Sequence, residues 1–282
     1  MRLQRAAIVI AVLALILQPL QTAQAGVIVG SSNTRVTDSG QLDAWVGEPD
    51  LTSQGDTVYA TWRDARRTDS QTEADIVFSS STDGGATWGP NVIVSDSEYV
   101  GFTNNPAISV SPDGTIWIVW GLDACYDIDI TCGGNSLLND VRVAWSFNGG
   151  QTWSESGLWI GTPGSISDPL IQRPQIVATD GKIWTLLHDP TFSGGNLIGF
   201  DIVLHEITRS GSNLTSTFQL LTPTSSGKLN NVEGPLTALA VNGTVVCAAW
   251  EDQRDGSSIY GTCSTNGAAS FPAGARWSTN GA

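Results

Sequence analysis

Basic residues are scarce in this sequence of 282 residues. Lysine and arginine together number 13 against 27 Asp and Glu, which leaves a formal net charge of −14. A chain this acidic is not expected to bind nucleic acid or an anionic lipid surface. Charged residues make up only 14% of the chain, whereas 11 tryptophans are present. This composition excludes a disordered chain and favours a globular, sheet-rich protein.

Long apolar runs are lacking beyond the N terminus, so no later segment is expected to cross a membrane. The single run, residues 6–17, follows Arg2 and Arg5 and precedes the small residues Ala23 and Ala25. This order predicts a cleaved signal peptide at residues 1–25 and a secreted or periplasmic mature chain at 26–282. The alternative is an uncleaved anchor, but about 12 apolar residues fall short of the roughly 20 in a spanning helix.

Only four cysteines are present, and their spacing is not that of a zinc site. In a secreted chain they predict two disulfides, Cys125–Cys132 within one loop and Cys247–Cys263 across a hairpin. A hairpin centred on residue 255 places Cys247 opposite Cys263, and cross-strand Cβ atoms lie about 4.5–5.5 Å apart. No metal or cofactor is expected, since the acidic loop at 123–129 matches no calcium-ligand pattern.

One pattern occurs four times in the mature chain. Each copy begins with a proline and an apolar run, continues through a Gly-containing turn and a β-rich strand, and ends on an acidic residue. The four copies begin at Pro49, Pro106, Pro174 and Pro235. Asp-Gly and Asn-Gly between two β-rich runs are strong hairpin signals.

A second motif follows each copy. Ser81-Thr82-Asp83-Gly84-Gly85-Ala86-Thr87-Trp88 is the first, and similar octets begin at Ser146 and Ser264. A degraded copy begins at Asn213, and in all four an Asp or Asn stands five residues before an aromatic residue. A repeat of about 60 residues with four strand-like segments predicts an all-β propeller of four-stranded blades.

The octet Ser-x-Asp-x-Gly-x-Thr-Trp resembles the Asp box, or bacterial neuraminidase repeat, of sialidase-like β-propellers. The resemblance covers nearly all of residues 45–275 and implies that each box is a structural turn between the third and fourth strands of a blade. Propellers of this family usually have six blades, and four are visible here. Either the N-terminal strand closes a small ring, or further blades follow residue 282; the second alternative is favoured.

The resemblance also implies a candidate site. Asp64-Ala65-Arg66-Arg67 matches the end of the second strand in the family's first blade. Asp69 then matches the acid/base of an exo-α-sialidase, and Glu233 matches the Glu that serves a tyrosine nucleophile. Arg63, Arg66 and Arg67 are candidate substrate-binding residues, because guanidinium groups pair with carboxylates. The alternative is that these arginines pair with Asp64, Asp69 and Glu73 on the surface.

The sequence departs from the family at the residue that should grip the substrate carboxylate. Gly47 stands where the family carries an arginine, and Glu48 beside it would repel a carboxylate. We therefore expect a monomeric extracellular module that binds or scaffolds a glycan or polymer at the mouth of the ring. A retaining exo-α-sialidase, a glycoside hydrolase, is the alternative.

Overall fold

Sixteen strands form four antiparallel sheets in the computed structural model, which describes residues 34–38, 46–67, 74–95, 102–123, 139–158, 174–193, 196–211, 213–222, 236–252 and 258–278. The first sheet contains β1 (Val46–Gln54), β2 (Thr57–Asp64), β3 (Asp75–Ser81) and β4 (Val92–Ile93). The second contains β5 (Phe102–Val110), β6 (Ile116–Asp123), β7 (Asn139–Ser146) and β8 (Ser154–Leu158). The third contains β9 (Gln175–Thr179), β10 (Lys182–Ser193), β11 (Asn196–Ser210) and β12 (Asn213–Leu220). The fourth contains β13 (Thr237–Asn242), β14 (Val245–Asp252), β15 (Ser258–Ser264) and β16 (Ala275–Arg276).

Each sheet is a simple meander in which every strand pairs with the next along the chain. The first two strands of each sheet meet at the predicted Gly-containing turn, where Gly55, Gly114, Gly181 and Gly243 all have positive φ. Each four-stranded sheet therefore coincides with one sequence repeat, as predicted. The described residues are all β or irregular, and the all-β propeller class is confirmed.

The core lies between successive sheets. In β6, Trp117 and Val119 pack towards the third sheet, whereas Ile116, Ile118 and Trp120 pack towards the first. In β10, Trp184 and Leu186 turn the other way from Ile183 and pack towards the fourth sheet. Because both faces of these strands are covered, each reads as a nearly continuous apolar run. Each such buried side chain contributes about 1.5–3 kcal/mol.

Side chains on the first strands also join neighbouring sheets through backbone amides. The Ile108 amide donates to Asp50 Oδ2 at 2.8 Å, which links β1 to β5. The Ala178 amide donates to Ser109 Oγ at 2.9 Å, which links β5 to β9. The first strands of successive sheets therefore lie side by side, and this is the edge that faces the axis of a propeller.

The three well-preserved octets form the same hydrogen-bonded turn between the third and fourth strands. In the first, Asp83 accepts from the amide and hydroxyl of Thr87, and Ser81 Oγ accepts from the Gly85 amide. In the second and fourth sheets, Asn148 and Asn266 likewise accept from the backbone amides of Thr152 and Ser270, but their Nδ2 donates to the hydroxyl of that residue. The degraded copy differs, since residues 213–220 enter β12 directly. The predicted structural role is therefore visible at three turns.

The disulfide predicted between Cys247 and Cys263 is present, with Cα atoms 4.1 Å apart. The predicted register is also confirmed, because Cys247 faces Cys263 and Trp250 faces Tyr260 across β14 and β15. Cys125, Cys132 and the predicted signal peptide lie outside the described residues. Within the described ranges, no helix is long and apolar enough to cross a membrane.

Candidate functional site

A cavity of about 430 Å³ opens between the first strands of three neighbouring sheets. Residues 48–52 of β1, residues 105–109 of β5 and residues 174–176 at the start of β9 line it. We call this space the axial cavity. Pro49 lies within β1, Pro106 lies within β5 and Pro174 directly precedes β9, so the sequence repeat itself places these residues together.

Two residues of the axial cavity have a strained backbone. The β1–β2 register shifts between Gly47 and Asp50, and the β5–β6 register shifts between Asn104 and Ala107. Within these bulges Glu48 has φ 54° and Asn105 has φ 46°. A non-glycine residue in this region costs about 1–3 kcal/mol, and such strain concentrates at binding and catalytic sites. The matching bulges of two neighbouring sheets therefore mark the cavity as a candidate ligand site.

Glu48 holds two partners at the cavity wall. Its Oε1 lies 3.2 Å from Arg63 Nη1, and its Oε2 accepts from the backbone amide of Asn105 at 2.7 Å. The Arg63 side chain is only 5% exposed, whereas that of Glu48 is 28% exposed. Burial lowers the pKa of Arg63, and the attraction of Glu48 partly opposes this shift. Glu48 therefore belongs to the cavity wall, and the arginine paired with it is almost fully buried.

The remaining polar groups of the cavity suit a ligand with hydroxyl groups. Asp50 Oδ2 accepts from the Ile108 amide, and among the described residues its other oxygen has no hydrogen-bond partner. The buried Asn105 Nδ2 likewise has no partner among the described residues. An unsatisfied buried donor costs about 1–3 kcal/mol. A ligand hydroxyl in the cavity could donate to the open oxygen of Asp50.

Arg66 lies outside the axial cavity. It donates to Asp64 at 2.6 Å, to Asp38 at 2.5 Å and to Asn91 at 2.9 Å. The hydrogen bond to Asp64 raises the pKa of Arg66, and the contact with Asp38 adds to this effect. Burial alone would raise the pKa of Asp64, but hydrogen bonds from Arg66 and Trp62 outweigh it and lower that pKa. Arg66 therefore links β2 to the segment 34–38 and to the residue before β4.

Arg67 forms a two-point contact with Asp75 at the start of β3, with Nε 2.6 Å from Oδ2. Each of the three candidate arginines thus pairs with a different acidic group. Of the surface partners predicted for them, Asp64 is in contact, whereas Asp69 and Glu73 lie outside the described residues, as does Glu233. Within the described ranges, no three His, Cys, Asp or Glu side chains are grouped to hold a metal ion.

Sequence reasoning did not single out Asp50 or Asn105 as site residues. A signal was available, because both flank the proline that opens each repeat. The left-handed backbone of Asn105 was not predictable, since the residue before proline usually has an extended conformation.

Comparison with known proteins adds information about the fold. No family model and no curated protein matches the sequence. A protein of unknown function from Dyadobacter fermentans superposes with a TM-score of 0.58 at 17% identity, covering 83% of this chain and 69% of that one. A sialidase from Streptococcus pneumoniae gives 0.56 at 11% identity, covering 86% and 53%. An α-L-arabinanase from Penicillium chrysogenum, complexed with arabinobiose, gives 0.51 at 16% identity, covering 82% and 66%.

At these identities the similarity describes the fold, and the superpositions cover 82–86% of this chain. This chain spans 46% of the length of a further similar structure, the Hadza microbial sialidase Hz136, at a TM-score of 0.53. The chain therefore has the fold of glycan-processing β-propellers.

Proposed function

We propose that this protein is a secreted, monomeric Asp-box β-propeller that binds a glycan in the axial cavity. The observation that carries the proposal is the pair of strained residues, Glu48 and Asn105, at matching bulges around a polar cavity. The open acceptor on Asp50 fits a sugar hydroxyl. The similar solved structures include a sialidase and an arabinanase with a bound disaccharide, which supports a glycan as the ligand class.

The three corresponding hydrogen-bonded turns support assignment to the Asp-box family. Ser81, Asp83 and Thr87 have counterparts in two other sheets that join the same positions, although there an Asn side chain donates to the hydroxyl. These turns lie at the edge where the third strand of each sheet ends, whereas the axial cavity lies on the first strands. The turns therefore act as scaffold, and the ligand site is separate from them.

Binding is tested by titrating residues 26–282 with arabinobiose and following two-dimensional NMR shifts. We expect saturable shifts at residues 48–52 and 105–109. The variants Asp50→Asn and Asn105→Ala should weaken binding, while Asp56→Asn, an exposed turn residue, should not. Shifts spread over the surface, or equal binding by all variants, would contradict the cavity as the site.

Hydrolysis of sialosides is the second candidate function. It is favoured by the similarity to solved sialidases and by the sequence match of Asp69 and Glu233 to the family's acid/base and Tyr-activating positions. Turnover of a fluorogenic sialoside by the wild type, absent in Asp69→Ala, would establish a glycosidase. No turnover from a folded sample would leave the binding module as the proposal.

Secretion rests on the N-terminal sequence and on the disulfide Cys247–Cys263, which belongs to an oxidising compartment. Expression of the full chain with its own N terminus should release a product that begins at Gly26. N-terminal sequencing of the exported protein tests this, and retention of residues 1–25 would favour the anchor.

A further inference from the structure

The pairing of Glu48 with Arg63 places a carboxylate where a ligand carboxylate would otherwise bind. Arg63 lies directly opposite Gly47 in the β1–β2 register, beside the axial cavity. Glu48 lines the cavity, and Arg63 does not. Of this ion pair, Glu48 is therefore the member that borders the space a ligand would enter, and its side chain is the more exposed of the two.

Two features of the backbone help to position this carboxylate. Its second oxygen accepts from the Asn105 amide of the neighbouring sheet. Glu48 also keeps a left-handed φ of 54°, which residues other than glycine seldom adopt. Strain of this kind persists only where surrounding contacts enforce it. Both observations indicate that the fold positions the Glu48 carboxylate on Arg63.

We propose that Glu48 is an internal counter-ion of Arg63 that makes the axial cavity select uncharged saccharides and reject those bearing a carboxylate. This inference rests on the proposed glycan-binding function. With Arg63 neutralised by Glu48, Asp50 leaves the cavity with an excess of negative charge. An anionic sugar would meet the negative charge of Asp50 and a guanidinium already paired with Glu48, and a net charge of −14 adds to the repulsion.

The converse follows from the same geometry: removal of the Glu48 carboxylate should turn an anion-rejecting cavity into an anion-binding one. Glu48→Gly removes the side chain that covers Arg63 and also suits the left-handed backbone. Glu48→Gln keeps the side-chain length and can still accept from Arg63 and Asn105, but it removes the negative charge beside the guanidinium. Comparing the two variants therefore distinguishes the effect of access to Arg63 from the effect of losing the Glu48 charge.

The experiment compares arabinobiose with N-acetylneuraminic acid as NMR titrants of residues 26–282. The wild type should bind arabinobiose and should bind the acid at least about tenfold more weakly, the effect of one charge-assisted hydrogen bond. Glu48→Gly should gain about tenfold or more in affinity for the acid, and the gain should shrink as salt is raised. Glu48→Gln should gain less, because its side chain still covers the arginine.

A matched control is available in a second pair of the same type. Glu155 lies 3.7 Å from Arg142 between β8 and β7, away from the axial cavity, and both side chains are largely buried. Glu155→Gln should leave both affinities unchanged. A gain of anion binding in this variant would indicate a general charge effect and would contradict the inference.

The outcomes separate the inference from the proposed function. If the wild type binds arabinobiose but neither Glu48 variant gains affinity for the acid, the inference is wrong and the glycan site stands. If the wild type binds no sugar but Glu48→Gly binds the acid, the counter-ion role stands and the proposed function is wrong. Equal wild-type affinity for both titrants would also overturn the inference.

Discussion

Gly150 lies against the ring of Phe78, where a turn of the second sheet meets the first sheet. A Cβ atom built on Gly150 would lie 2.0 Å from Phe78 Cε1 and 2.6 Å from Cζ. Phe78 is 2% exposed and packs edge to face on Trp153, with ring centroids 5.0 Å apart. The ring therefore has little room to move, and we expect Gly150→Ala to destabilise the protein.

The equivalent glycine of the first turn separates the two causes of that destabilisation. Gly85 has φ 94° and Gly150 has φ 87°, but nothing lies within 4 Å of a Cβ atom on Gly85. Gly85→Ala should therefore cost only the left-handed backbone term of about 1–2 kcal/mol. Gly150→Ala should add about 1–3 kcal/mol of overpacking. The fourth sheet supports the lower cost expected for Gly85→Ala, because Ala268 occupies the same turn position there with φ 61°.

Urea denaturation measured by tryptophan fluorescence tests this difference. We expect Gly150→Ala to unfold with about 1–3 kcal/mol less free energy than Gly85→Ala, a Tm lower by about 2–12 °C. Shortening the ring in the double variant Gly150→Ala/Phe78→Leu should recover part of the loss, since the two sites are in contact. Equal stability of the two alanine variants would refute the packing of the second turn on Phe78.

Three further predictions concern the disulfide and two titrating groups. Replacing Cys247 and Cys263 together by serine should cost about 3 kcal/mol of unfolding free energy, because the disulfide closes a loop with a separation of 16 residues. Urea denaturation of the double variant measures this loss, and an unchanged midpoint would contradict it. Hydrogen bonds from Thr87 lower the pKa of Asp83 from 3.8 to about 2, so its contribution is present above pH 4 and disappears as the pH falls towards 2. Asp83→Asn, which copies Asn148, should flatten stability against pH in that window, and an unaltered acid limb would count against this. Burial lowers the pKa of His205 from 6.5 to about 3, so the unfolded chain binds the extra proton and stability should fall by about 1.4 kcal/mol per pH unit between pH 6 and 4. His205→Gln should remove this slope, and NMR titration of the imidazole above pH 5 would disprove the shift.

The repeats and hairpins were predictable because their determinants are local. A Gly-containing turn between β-rich runs sets a strand pair within a few residues, and four such pairs sharing one period identify the blades. The same local logic gave the facing positions of Cys247 and Cys263, since the midpoint of a short hairpin determines its register. The turn predicted for the third sheet is not formed, because β12 already begins at Asn213. This copy of the motif keeps only the Asn and the aromatic residue, and these two residues alone do not distinguish a turn from a strand.

The candidate site was less predictable because its contacts join distant parts of the chain. Glu48 meets the Asn105 amide across 57 positions, and Arg66 meets Asp38 across 28. No local pattern specifies such partners. The resemblance to sialidases predicts that the arginines bind the substrate, whereas the residues that line the cavity flank the prolines of the repeat. Gly47 stands where the resemblance implies an arginine. In the structure Arg63 lies opposite this glycine and forms an ion pair with Glu48.

The acidic groups of the axial cavity also hold the sheets together, and this dual role constrains what the cavity can bind. Asp50 and Glu48 each accept a backbone amide from the second sheet, as Ser109 does from the third. Replacing either carboxylate by a basic residue would leave a buried amide unsatisfied at about 1–3 kcal/mol and would weaken the attachment of neighbouring sheets. A cavity whose carboxylates are needed for sheet attachment cannot readily acquire the arginine that an anionic sugar requires. The selection proposed for this cavity would therefore follow from how this chain joins its first and second sheets.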